Sequence, residues 1–105
     1  MNESTATSIV AGRITPNDIS RALRPLVPAT HRVVLFGSRA TGRASPRSDW
    51  DLGVIGPGPV DGAVLERMRE ALEALPTLRT FDVVDLTTAA PELRARALHE
   101  GLTLV

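Results

Sequence analysis

The chain of 105 residues lacks cysteine, lysine and tyrosine, and only 3% of its residues are aromatic. Without cysteine it cannot form disulfides, thiolate metal sites or a cysteine nucleophile. With so few rings, its core must be built from Leu, Val, Ile and Ala. All 12 basic residues are arginine, which we attribute to the codon usage of a GC-rich genome.

Strong charge of either sign is also missing, because 12 basic and 12 acidic residues give a formal net charge of +0. This balance argues against a general nucleic-acid binder, which would rely on an excess of basic residues to neutralise phosphates. Because few aromatic side chains are available to stack on bases, nucleic-acid polymerisation is the least favoured of the functions considered. The first dozen residues carry no signal-peptide pattern and no stretch has membrane-spanning length, so we expect a cytoplasmic protein without a membrane partner.

The length and the positions of Pro and Gly predict one domain over residues 15–105, after a flexible N-terminal tail over residues 1–14. Thr15 is the expected N-cap of the first helix, with Pro16 at its first position. In the last helix, Leu93, Ala97 and Leu98 are expected to face inward. The predicted elements are a helix from Pro16, a strand Arg32–Phe36, a short helix within 38–47, a strand Trp50–Ile55, a helix from Asp61 to Leu75, a strand Thr80–Leu86, a helix Pro91–Glu100 and a final strand within 102–105. This order predicts an α+β (mixed α/β) fold, a small mixed β-sheet of about four strands with helices packed on it.

Two carboxylates open the second predicted strand in the segment Ser48-Asp49-Trp50-Asp51. Because side chains on a strand alternate between its faces, Asp49 and Asp51 point the same way. Neighbouring carboxylates repel each other unless a cation lies between them. Hard oxygen ligands suit Mg²⁺, which keeps some of its waters and bridges to substrate phosphates. The pair therefore predicts a magnesium site, and alternation places Trp50 on the opposite face, in the core.

A third carboxylate from a neighbouring strand would complete a site for two magnesium ions and could receive a proton from a nucleophile. Asp82 and Asp85 both lie on the third predicted strand, three residues apart, so only one of them can join the pair. We favour Asp82, which lies between apolar neighbours where burial is costly without a metal partner. Asp85 is expected at the solvated end of the strand.

The first predicted strand ends in Gly37-Ser38, a turn that would offer backbone N–H groups and a hydroxyl to a phosphate if it opens a helix. Arg39, Arg43 and Arg47 lie in or beside this turn, and one of the three is expected to contact a triphosphate. Ser48 fits a turn cap as well as a substrate contact. His31 and His99 lack partners at metal-ligand spacing and are assigned no chemistry.

These segments together resemble the signature of the DNA polymerase β-like nucleotidyltransferase superfamily. More narrowly, the chain resembles the minimal nucleotidyltransferases (MNT), which are often the antitoxin partners of HEPN toxins. The resemblance covers Val33 to the C-terminus and differs in two places, since Thr41 stands where relatives often have arginine and Trp50 lies between the two aspartates.

The resemblance implies the polymerase β-like fold, with Gly37, Ser38, Arg39 and Ser48 binding the nucleotide and Asp49, Asp51 and Asp82 acting as catalytic and metal residues. It also implies Mg²⁺ as the cofactor, ATP as the substrate, and AMP transfer to a hydroxyl, expected to be a tyrosine, of a HEPN toxin partner. Because the chain leaves no residues for a domain that covers the base, we expect another polypeptide to complete the cleft. The alternatives are transfer to a small molecule such as an aminoglycoside, and a non-catalytic module that blocks its partner by occlusion.

Overall fold

A computed structural model describes residues 13–45 and 47–105, where helices and strands alternate as the sequence predicts. Its helices are α1 (Pro16–Leu23), α2 (Ser38–Thr41), α3 (Gly62–Glu73) and α4 (Pro91–Glu100). Its strands are β1 (Arg32–Phe36), β2 (Trp50–Ile55), β3 (Phe81–Asp85) and β4 (Leu102–Thr103). In these two ranges, no helix combines the length and the apolar character needed to cross a membrane. Most of the predicted tail, residues 1–12, lies outside the described residues.

Side-chain caps fix where two of the helices begin. At α1, the hydroxyl of Thr15 accepts from the Asp18 N–H at 3.2 Å, and Asp18 Oδ2 accepts from the Thr15 N–H at 2.7 Å. At α3, Asp61 Oδ1 accepts from the Ala63 N–H at 2.8 Å. Each cap satisfies an N–H that has no partner within its helix, typically stabilising the helix by about 1 kcal/mol. Both predicted helix starts are therefore confirmed.

The strands form one four-stranded sheet in the order β3-β2-β1-β4. Strand β1 runs antiparallel to both β2 and β4, whereas β2 and β3 are parallel. The end of β1 and the starts of β2 and β3 consequently meet at one end of the sheet. In this register Asp51 is the Cα partner of Phe36 on one side and of Asp82 on the other.

One face of the sheet carries the main core, covered by α1 and α3. Its buried members are Ile14, Ile19, Leu23, Val33, Leu35, Trp50, Leu52, Val54, Val60, Met68, Leu72 and Val83. Trp50 is only 3% exposed, as predicted, and stacks on Phe81 with 6.5 Å between ring centroids. Ile14 is also buried, so packing begins one residue before the predicted domain boundary.

The opposite face carries a smaller cluster under α4, made of Phe36, Leu86 and Ala97. Ala97 is fully buried, but Leu98 is 49% exposed, so the prediction that Leu98 faces inward was wrong. On a helix, adjacent residues lie about 100° apart, and the face that buries Ala97 turns its neighbour toward solvent. At the end of this face Asp82 is exposed and Asp51 is partly buried, so polar side chains there reach solvent.

The outer edge of β3 is capped by side chains. Bonds from Trp50 N to Thr80 O and from Leu86 N to Val54 O show which groups of β3 face β2, so the carbonyls of Phe81, Val83 and Asp85 point outward. Arg69 Nη2 donates to Val83 O at 3.1 Å. The hydroxyl of Thr88 donates to Asp85 O at 3.3 Å. Two of the three outward carbonyls are therefore occupied.

Candidate active site

The parallel pairing of β2 and β3 places two predicted site residues side by side. Asp51 and Asp82 are Cα partners on adjacent strands, so their side chains project from the same face of the sheet. Asp49 lies two residues before Asp51 and is exposed, as is Asp82, while Asp51 is partly buried. The structure thus brings the three predicted carboxylates to one end of one face.

Like charge and burial both act on Asp51. Burial raises the pKa of the Asp51 carboxyl, and the charges of Asp82 and Asp49 raise that pKa further. Among the described residues, none of these three side chains takes part in a hydrogen bond or an ion pair. In the part of the chain that the structure describes, no cation therefore contacts these carboxylates directly, and Asp49 acts on Arg39 only at longer range.

The three carboxylates are neighbours without forming a ready-made ligand cluster. Within residues 13–45 and 47–105, no group of three or more His, Asp or Glu side chains is close enough to hold a metal ion together. The expectation that their oxygens already converge on a shared cation position is therefore not met by this structure. Burial is the main cause of the raised pKa of Asp51, and repulsion by the carboxylates of Asp82 and Asp49 adds to it.

Gly37 packs its backbone directly against the Asp51 carboxylate. Its φ of 75° and ψ of −157° lie in a region that is essentially open only to glycine. A Cβ added at this position would overlap Asp51 Oδ2. The site needs glycine here for two independent reasons, one conformational and one steric.

Gly37 also begins the short helix α2, as the sequence predicts. Its carbonyl accepts from the N–H groups of Ala40 at 3.1 Å and Thr41 at 3.2 Å. The first N–H groups of a helix have no partner within it. The Ser38 hydroxyl has no hydrogen-bond partner among the described residues, so both kinds of donor expected of a phosphate loop are available.

Arg39 is held by the protein. Its Nε and Nη2 both donate to Ser48 O, at 3.1 and 2.6 Å, and its guanidinium lies 4.0 Å from the centre of the Trp50 ring. Partial burial lowers the pKa of Arg39, the charge of Arg79 lowers it further, and Asp49 opposes both. The Ser48 hydroxyl accepts from Ser45 N at 3.0 Å, which is the turn-cap role that the sequence allowed.

Asp85 has a structural role. Its Oδ2 accepts from Val60 N at 3.0 Å, and its Oδ1 accepts from Thr87 N at 3.0 Å. The carboxylate therefore joins β3 to the turn before α3, and it is a partly buried acceptor where the sequence predicted a solvated residue. Because both oxygens are occupied, Asp82 is the better placed of the two candidates for the third carboxylate.

One residue beside the site was missed by sequence reasoning. Arg79 precedes β3, lies close enough to Arg39 to lower its pKa, and donates from Nη1 to Arg47 O at 3.3 Å. Its only signal in the sequence is the position of an arginine two residues before the strand that carries Asp82. His31 contacts Gly58 O and the Thr30 hydroxyl.

Comparison with known proteins identifies the class that this fold and site define. Residues 18–105 match the family described as polymerase beta, nucleotidyltransferase, and the chain belongs to that family. The match confirms the superfamily resemblance and the predicted fold class.

Particular relatives narrow the likeness further. The probable protein adenylyltransferase MntA of Haemophilus influenzae is 33% identical over 76 residues, which make up 72% of this chain and 66% of that protein. The chain thus spans just under two thirds of the length of this curated relative. A crystal structure of a toxin–antitoxin with AMP-PNP shares 28% identity at a TM-score of 0.70, over 88% of this chain and 73% of that chain. A tri-AMPylated Shewanella oneidensis HEPN toxin in complex with MNT antitoxin matches at 26% identity and a TM-score of 0.61, over 86% of this chain and 68% of that chain.

Proposed function

We propose that the protein is a Mg²⁺-dependent adenylyltransferase that moves AMP from ATP to a hydroxyl of a HEPN toxin, a tyrosine by our expectation, and so acts as its antitoxin. The observation that carries this proposal is the in-register pair Asp51 and Asp82, with Asp49 beside it and Gly37 packed against it. The likeness to MntA and to toxin–antitoxin structures containing AMP-PNP or an AMPylated HEPN toxin supports it.

The residues present fit magnesium by their chemistry. Asp49, Asp51 and Asp82 offer only carboxylate oxygens, and their charge has no protein counter-ion within 4.0 Å among the described residues. We expect bound Mg²⁺ to draw the three side chains together, because it would offset the repulsion among them, which adds to burial in raising the pKa of Asp51. When bound, the metal would supply neutralisation of the charge on the transferring phosphate.

The residues of the chain have separate tasks in the transfer. An oxygen of the acceptor hydroxyl forms a bond to the α-phosphorus of ATP, the bond from that phosphorus to the β-phosphate bridge breaks, and pyrophosphate leaves with its electron pair. Asp82 is solvent-exposed and free of other partners, so it can take the proton of the hydroxyl. The N–H groups at the start of α2 and the Ser38 hydroxyl would hold the phosphate chain.

The openness of the site supports a protein as the acceptor. Asp49 and Asp82 are exposed, and Asp51 is only partly buried. An open site orders its substrates poorly and protects the transfer from water poorly. A partner that seats its own hydroxyl over the carboxylates would complete the cleft and serve as the acceptor at the same time.

The test is transfer of labelled AMP to a co-purified HEPN partner by wild type, Asp49→Asn, Asp51→Asn and Asp82→Asn. We expect loss of labelling in all three variants and retention in Asp85→Asn, a matched change on the other side of β3. Equal labelling by the site variants and the wild type would reject the proposal. Full antitoxin protection by an Asp49/Asp51 double variant would favour neutralisation by occlusion instead.

A further inference from the structure

A second feature at this end of the sheet lies on the face of Trp50, opposite the face of Asp51 and Asp82. A cleft of about 290 Å³ lies beside the starts of β2 and β3. Its lining residues are Arg13, Ile14, Arg39, Ala44, Ser45, Trp50, Thr77 and Arg79. No acidic side chain of the described residues lines this arginine cleft, although the whole chain has no net charge.

Hydrogen-bond donors in the arginine cleft exceed the acceptors available to them. Each guanidinium has five N–H donors. The described side-chain hydrogen bonds of Arg39 both go to Ser48 O, and that of the Arg79 side chain goes from Nη1 to Arg47 O. Neither side chain forms an ion pair with a described residue, although Asp49 is near enough to act electrostatically on Arg39. Two cations therefore lie near each other, and most of their donors have no partner within residues 13–45 and 47–105.

Two further observations indicate a prepared site. Trp50 is 3% exposed, yet its Nε1–H has no hydrogen-bond partner among the described residues. Such buried donors usually have one. Arg39 is already fixed by Ser48 O and by the Trp50 ring, so it loses little conformational freedom when it binds a ligand.

We propose that the arginine cleft binds a phosphate group, at a position separate from the three carboxylates. Guanidinium groups match phosphate oxygens in geometry and charge. A base cannot enter by stacking on Trp50, because Arg39 lies over its ring and Phe81 stacks against it. Only the identity of the ligand rests on the proposed function, because AMP transfer would bring pyrophosphate and the phosphate chain of ATP to this protein.

The protein carries its own reporter for the test. Trp50 is the sole tryptophan and the chain has no tyrosine, so intrinsic fluorescence comes from a residue that lines the cleft. Inorganic pyrophosphate is titrated without Mg²⁺, with fluorescence and calorimetry as readouts. We expect Arg79→Gln to weaken pyrophosphate binding about tenfold or more, since a hydrogen-bonded charge is lost.

Matched variants keep the test decisive. Arg67→Gln removes an exposed arginine on α3 that does not line the cleft, and it should bind pyrophosphate like wild type. Ser45→Glu keeps both arginines in the chain but adds a negative charge to the lining of the cleft, and it should also weaken binding. Equal affinity in Arg79→Gln, Ser45→Glu and Arg67→Gln, or no binding by wild type, would overturn the proposal.

Further arms separate this proposal from the proposed function. Asp51→Asn should lose AMP transfer yet bind pyrophosphate without Mg²⁺ like wild type, whereas a requirement for Asp51 and Mg²⁺ would overturn a separate site. Competition between pyrophosphate and Mg-ATP would assign the cleft to the phosphates of the nucleotide, and additive binding would assign it to another phosphate. Binding of a glutamate-rich peptide, with no response to pyrophosphate, would show that the cleft is a carboxylate site and would refute the phosphate assignment.

Discussion

Replacing Gly37 by alanine tests the close packing of the first turn against the carboxylates. The added methyl group meets two obstacles, a backbone conformation that is essentially confined to glycine and the Asp51 carboxylate oxygen at the position of its Cβ. Gly42 offers a matched control, because it also has a positive φ, 78°, but nothing lies within 4 Å of an added Cβ. The two variants share the chemical change and differ in the contact with the site.

The expected magnitudes separate the two variants. Gly42→Ala pays the left-handed conformation alone, about 1–2 kcal/mol of unfolding free energy. Gly37→Ala adds backbone strain of about 1–3 kcal/mol to an overlap that costs about 1–3 kcal/mol in typical overpacked sites. We therefore expect a loss of about 2–6 kcal/mol for Gly37→Ala, because both terms act at the same residue.

Urea unfolding followed by Trp50 fluorescence measures these losses, and calorimetry with Mg²⁺ and ATP measures the effect on the site. Gly42→Ala should bind the nucleotide like wild type, and Gly37→Ala should bind it weakly even where it remains folded, because Asp51 is displaced. If the two variants lost equal stability and bound nucleotide equally, the contact between Gly37 and Asp51 would be irrelevant to the site and the reasoning would be refuted.

Three further predictions concern single residues. Without Mg²⁺, Asp51→Asn should raise the unfolding free energy at neutral pH, because folding raises the pKa of this carboxyl and so penalises its charged form. The gain should vanish below the ordinary pKa near 3.8, where the carboxyl is protonated in both the folded and the unfolded state. Urea unfolding at several pH values measures this dependence. Asp85→Ala should lower the unfolding free energy by about 1–3 kcal/mol, since two backbone N–H groups lose their acceptor, while calorimetric affinity for Mg-ATP stays unchanged. Leu98→Gln should change the unfolding free energy by no more than about 0.5 kcal/mol, as expected of an exposed position, and a larger loss in urea would restore the inward-facing assignment.

Local signals in the sequence were sufficient for most of the secondary structure. Pro16, Asp61 and Gly101 mark helix ends through backbone geometry and capping, which depend on a few neighbouring residues. The alternation of side chains on a strand correctly separated Trp50, in the core, from Asp51 on the other face. Such features need no knowledge of distant partners.

Features that depend on pairing between elements were harder to predict. The preference for Asp82 over Asp85 rested on local context, and the supporting evidence comes from the register of β2 with β3 and from the backbone partners of Asp85. The position of Arg79 beside Arg39 depends on the same pairing. The burial of Leu98 was predicted wrongly, because the packing of α4 against the sheet decides which of its residues face inward.

The capped outer edge of β3 bears on how this protein behaves at high concentration. An uncovered edge strand offers a template on which further copies can add strands and grow into aggregates. The Arg69 guanidinium and the Thr88 hydroxyl occupy two of the outward carbonyls, so an incoming strand would have to displace them before pairing. Two side chains outside the catalytic chemistry thereby help a small sheet to remain dispersed while its other end stays open to ligands.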